Sequence, residues 1–100
     1  LLPHVMEFNY LANPQKFADI AYLLGLNDCD ISKMEAAKKA IDLVKELIQD
    51  VGAPQRLSEI HVKKEEIPQM SLTALNDACM ITNPRDVTVE IIEELFRKAW

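Results

Sequence analysis

Residues 32–54, SKMEAAKKAIDLVKELIQDVGAP, decide the fold. Ser32 and Glu35 stand at capping-box spacing. The serine hydroxyl can accept from the amide three residues on, while the glutamate reaches back to the serine amide. Met34, Ala37, Ile41, Val44, Ile48 and Val51 then recur at steps of three and four, and Ala36, Ala40, Leu43 and Leu47 widen the stripe. That period and width predict a long helix with much of its surface buried. Gly52 supplies a left-handed end and Pro54 forbids continuation.

The same signals recur on both sides. Asn13 is placed to cap a helix over Pro14–Leu24, with proline at its first position and Gly25 at its end. Its expected apolar face is Phe17, Ile20, Ala21 and Leu24. Residues from about Val5 to Leu11 read as the end of an earlier helix. Pro68 to about Met80 reads as another helix, burying Leu72, Leu75, Ala78 and Cys79, after a turn over Lys64–Ile67. Thr88 caps a last helix whose face is Val89, Ile92, Leu95, Phe96 and Ala99. Leu57, Ile60 and Val62 suggest a short extended piece without a partner strand. The expectation is an all-α bundle of about five helices joined by short connections.

Composition narrows the function classes. Sixteen acidic residues against eleven basic give a formal charge of −5. Nucleic acid wants a basic face, so no nucleic-acid partner is expected. No apolar run approaches the length of a bilayer span, so no membrane partner is expected either. Both glycines lie at helix ends, which leaves no glycine-rich loop to cradle a phosphate. The two cysteines, Cys29 and Cys79, form no Cys-x-x-Cys pair. A disulfide between them is conceivable but unsupported, and a reducing cytoplasm is the simpler setting.

Few residues invite chemistry. His4 and His61 lack the partner spacing of a helical metal site. Asp42, Glu46 and Asp50 repeat at steps of four, but Lys38, Lys39 and Lys45 interleave with them, as on a solvated face. Ser58, Ser71 and Thr73 have no histidine partner. Cys79 reads either as a packed core residue or as the lining of a pocket, and no basic neighbour precedes it to favour a thiolate. Asn83-Pro84-Arg85 then turns a corner, because proline excludes the helix and pushes Asn83 to extended backbone. That corner is either a pocket wall or a plain helix connection.

Several segments together resemble the carboxy-terminal part of the iron-containing (group III) alcohol dehydrogenases. They are Leu1-Leu2-Pro3-His4-Val5-Met6-Glu7-Phe8-Asn9, then Lys16-Phe17-Ala18-Asp19-Ile20-Ala21, then Asn76-Asp77-Ala78-Cys79 with Thr82-Asn83-Pro84-Arg85 and the closing Ala99-Trp100. The resemblance spans residues 1–100. It implies part of the dehydroquinate-synthase-like, all-helical domain of a parent enzyme that interconverts small primary alcohols and aldehydes with NAD(P). It implies a divalent metal, usually iron, held by one aspartate and three histidines. The last of those histidines falls before the segment matching Leu1–His4, and His4 matches a later, non-ligand position. The bare apolar start likewise reads as a cut through a longer protein. On this reading the chain carries no catalytic, cofactor-binding or metal-ligating residue, holds no cofactor itself, and is inactive alone. Cys79 matches a position near the substrate pocket and is expected to form part of its wall. The expected partners are the remainder of the parent enzyme and a second copy of the chain. A free-standing helical interaction module, with Leu1, Leu2 and Phe8 in a partner groove, is the alternative from a different class.

Overall fold

A computed structural model describes residues 1–100. Its α-helices are α1 (Leu2–Asn9), α2 (Pro14–Leu23), α3 (Lys33–Asp50), α4 (Ile67–Leu75) and α5 (Val89–Ala99). Three 3-10 turns, Leu57–Ile60, Lys64–Glu66 and Ala78–Thr82, fill the connections, and there is no strand. The all-α architecture and its five helices are those expected from the sequence. No helix is long and apolar enough to cross a membrane. The chain divides into two compact units, Leu2–Ala53 and Pro54–Trp100, with Leu1 grouped in the latter.

In the unit Leu2–Ala53, α3 is the platform against which α1 and α2 pack. The capping box forms as its residues dictate. The Glu35 amide donates to Ser32 Oγ at 3.2 Å, and the Ser32 amide donates to Glu35 Oε2 at 2.9 Å. The Ser32 amide and the Ser32 hydroxyl, which donates at 2.8 Å, hold the Glu35 carboxyl below its ordinary range, the amide contributing most. At the far end Gly52 takes φ +67°, letting the Ala53 amide reach the Ile48 carbonyl at 3.0 Å. Helix α2 is built the same way. Asn13 Oδ1 accepts from the Lys16 amide at 3.3 Å, and Leu26 folds back to the Ala21 carbonyl at 3.0 Å.

The core of this unit is Met6, Ala21, Ala40, Ile41 and Val44, with Tyr10, Phe17, Leu26, Leu43 and Ile48 packed around it. Alanines Ala21 and Ala40 carry almost no side chain, so α2 and α3 approach closely there. Lys45 Nζ reaches Glu7 at 2.7 Å and links α3 to α1 across an exposed surface. The periodicity overstated some faces. Ile20, Leu24, Met34, Leu47 and Val51 are exposed, and the buried residues of α2 are Ala18 and Ala21. Helix α1 begins earlier than expected, because Pro3 is tolerated in a first turn, and it ends at Asn9.

In the unit Pro54–Trp100, α4 and α5 pack on each other around Ile67, Ile92 and Phe96. Leu57, Met70, Ala74, Leu75, Met80, Val87 and Trp100 surround them. Thr88 Oγ1 caps α5 by accepting from the Ile91 amide at 3.4 Å. The mixed charges of α5 pair along its surface, Glu93 with Arg97 and Glu94 with Lys98.

Two expectations fail here. The piece Leu57–Ile60 is a 3-10 turn, not extended backbone. With no strand to pair with, it closes on local partners: Glu59 Oε2 accepts from the Gln55 amide at 3.1 Å. Its end residue, His61, adopts left-handed φ +64°. Ser58 Oγ then donates to the Trp100 carbonyl at 2.7 Å, and Trp100 Nε1 donates to the Val62 carbonyl at 2.8 Å. Lys64 Nζ lies 4.1 Å from the Trp100 ring centroid, a cation–π contact. The second failure is α4, which stops at Leu75 instead of reaching Met80. Asn76 and Asp77 spend their side chains on nearby backbone, the competition that ends helices. Asn76 Nδ2 donates to the Leu72 carbonyl at 3.0 Å. Consequently Ala78 and Cys79 are exposed; within α4 Leu72 is exposed too, and the fully buried residues are Ile67 and Ser71. Ser71 Oγ donates to the Ile67 carbonyl at 2.8 Å, so its burial leaves no hydroxyl unsatisfied.

Candidate functional site

The chemistry-bearing part of the chain is the segment from Asp77 to Val87, between α4 and α5. Its shape comes from side chains bonding to backbone. Asp77 Oδ1 accepts from the Cys79 amide at 2.8 Å and opens the Ala78–Thr82 turn. The Met80 amide donates to the Asp77 carbonyl at 3.0 Å, and Thr82 Oγ1 donates to the Cys79 carbonyl at 3.0 Å. Asn83 leaves the turn on extended backbone at φ −64°, ψ 133°, as the following proline requires. Its Nδ2 donates to the Arg85 carbonyl at 2.6 Å, so one amide side chain spans Pro84 and fixes the corner.

An open hollow of about 510 Å³ lies in this unit, with Leu75, Met80, Ile81, Asn83, Arg85 and Val87 among its walls. The corner is therefore both a helix connection and the side of a concavity. Cys79 stands on the same turn, exposed, but is not one of the hollow's lining residues. Its packing reading is thus corrected: the break at Asn76 turns the thiol out of the core it would have entered on a continuous helix. The neighbouring Asp77 carboxylate pushes the Cys79 thiol above its ordinary range. Asp77 is held low, first by the hydrogen bond from the Cys79 amide. The expectation of an un-ionised thiol came from missing basic neighbours. Asp77 is the stronger cause, and sequence reading passed over it although Asp two residues before a turn residue is a recognised turn-forming signal.

The remaining candidates do not gather. His4 is half-buried in α1 and His61 is exposed beyond the Leu57–Ile60 turn. Asp42, Glu46 and Asp50 are exposed along α3. Asp42 borders a second hollow, of about 410 Å³, with Glu7, Tyr10, Lys38 and Ile41. Cys29 and Cys79 are both free thiols. No three His, Cys, Asp or Glu side chains are grouped so as to hold a metal ion. These residues by themselves therefore do not form a site that fits the family's metal.

Comparison with known proteins agrees with the geometry. A family model described as the Fe-containing alcohol dehydrogenase family, C-terminal, matches residues 1–100. The 1,3-propanediol dehydrogenase of Klebsiella pneumoniae is 44% identical over 100 residues, which are 100% of this chain and 26% of that protein. The lactaldehyde reductase of Escherichia coli (strain K12) is 42% identical over 100 residues, again 100% of this chain and 26% of the relative. The crystal structure of a 1,3-propanediol oxidoreductase superposes with a TM-score of 0.95 at 43% identity, covering 99% of this chain and 26% of the other. The chain thus spans about a quarter of the length of the relatives it matches.

Proposed function

This chain belongs to the Fe-containing alcohol dehydrogenase family, whose C-terminal model it matches throughout, and from that premise we propose that it is the helical part of an enzyme interconverting small primary alcohols and aldehydes with NAD(P). The observation that carries the proposal is the match over the whole chain to a 1,3-propanediol dehydrogenase and to a lactaldehyde reductase, both named for small oxygenated substrates. Iron, or another divalent metal, and the nicotinamide cofactor are held by the remainder of the parent enzyme. That remainder is the chain's principal partner, and a second copy is a further one. The setting is cytoplasmic.

The contribution of these residues is structural and steric. The Asp77–Val87 segment supplies one wall of the substrate pocket, with the exposed Cys79 side chain as its contact. On this proposal the part has no activity of its own. Membership of the family favours this reading over the free-standing interaction module.

The test is an assay of the full polypeptide that carries these residues. With divalent metal and either NAD or NADP, short primary alcohols are expected to yield reduced nicotinamide, and short aldehydes to consume it. Folded, metal-loaded polypeptide that turns over no primary alcohol or aldehyde with either cofactor would overturn the proposal.

A further inference from the structure

The segment Leu57–Lys64 carries two features that the proposed function leaves unused. The first is a strained backbone. His61 takes φ +64° and is the one residue other than glycine in the left-handed region. An L side chain there crowds the following carbonyl oxygen, so the conformation persists only where its surroundings impose it. The local turn imposes it through long bonds. The His61 and Val62 amides donate to the Ser58 and Leu57 carbonyls, each at 3.2 Å. The 3-10 turns on either side of His61 bury no residue.

The second feature is a clasp that grips both sides of the strain. The Trp100 carbonyl, at the end of α5, accepts from Ser58 Oγ at 2.7 Å. Trp100 Nε1 donates to the Val62 carbonyl at 2.8 Å. Both bonds are partly buried and join residues 42 and 38 apart in sequence. Lys64 Nζ adds a third contact, 4.1 Å from the ring centroid. Leu57, carried by the same segment, packs against the cluster of Ile67, Ile92 and Phe96.

We propose that Leu57–Lys64 is a strap loaded by His61 and held shut by Trp100, a conformational device that opens as a unit and uncovers the cluster while α4 and α5 stay folded. The strain at His61 favours opening, and the Trp100 clasp opposes it. Segments that open alone have few buried contacts and exposed backbone bonds. The strap has that character, whereas α4 buries Ile67 and Ser71, and α5 buries Ile92, Phe96 and Ala99.

Amide hydrogen exchange of the full polypeptide, read peptide by peptide by mass spectrometry and corrected for intrinsic rates, tests the strap. Trp100→Phe keeps a ring beside Lys64 and loses the donor to Val62. Protection over residues 57–62 is expected to fall about tenfold, the size of one lost bond to a partly buried carbonyl. Ser58→Ala removes the other bond and is expected to lower protection there too. His61→Gly relieves the strain and is expected to raise protection over the same residues about threefold. Residues 69–75 of α4 and 91–97 of α5 are expected to exchange as in the wild type in all three variants. A Trp100 that only fills the core would lower protection in α4 and α5 as much as in the strap, which overturns the proposal. So does unchanged strap exchange in either Trp100→Phe or Ser58→Ala, or a His61→Gly strap that exchanges as fast as the wild type or faster. Ser58→Ala and His61→Gly leave Trp100 in place, so they decide the matter even where the tryptophan variant fails to fold.

Discussion

Ile67→Ala is expected to lower the stability of the full polypeptide by about 2–5 kcal/mol in the transition that unfolds this region. Ile67 is fully buried at the head of α4 and belongs to the cluster with Ile92 and Phe96. Removing three carbons forfeits their transfer energy and leaves a space that α4 and α5 fill only in part. The backbone there has little freedom to collapse. The Glu66 amide donates to the Lys63 carbonyl at 3.0 Å just before Ile67, Pro68 follows it, and Ser71 Oγ donates to its carbonyl. Denaturant titration checks the result. Ile67→Val, which removes one methyl, should cost about 0.5–1.5 kcal/mol and give the scale. A loss under about 1 kcal/mol for the alanine variant would mean that this cluster is looser than its burial implies.

Ala40→Leu is expected to destabilise by about 1–3 kcal/mol, although it adds apolar surface and keeps helix propensity. Ala40 has no exposed surface, lies on the platform helix α3 and shares a cluster with Ala21 of α2. A leucine there has to push apart helices that pack closely because their facing residues are small. The same substitution at Lys39, which is exposed one residue earlier, should change stability by no more than about 0.5 kcal/mol. The contrast between the two sites, measured by the same titration, separates overpacking from any general effect of leucine. Equal effects at both would contradict the close approach of α2 and α3.

These two sites also mark what was legible in the sequence. Helix ends were readable because their causes are local. Asn13, Ser32, Thr88, Gly25 and Gly52 each act on backbone within about one turn, and each does what its chemistry dictates. That Ala21 and Ala40 share one core cluster could not be read, because periodicity names a face but not the element it meets. For the same reason Ile20, Leu24 and Leu72 were assigned to buried faces and are exposed. The break after Leu75 was present in Asn76-Asp77 and lost to the apolar run around it. That break places Cys79 on the surface, where a continuous helix would bury it. The short piece at Leu57–Ile60 differs from the extended backbone expected because three apolar residues within six, Leu57, Ile60 and Val62, do not fix the local conformation. The metal and cofactor were legible only through resemblance, because no motif in these residues points to either.

The account's central claim is that the turn carrying Cys79 is one wall of an alcohol-handling pocket. Cys79→Phe in the full polypeptide tests it most directly, because the position is exposed and the added ring has no core to disturb. Steady-state kinetics with primary alcohols of increasing length are expected to show KM rising, most for the longest alcohols, with melting temperature and metal content unchanged. Unaltered KM and kcat across the whole series would place Cys79 away from the substrate and contradict the claim.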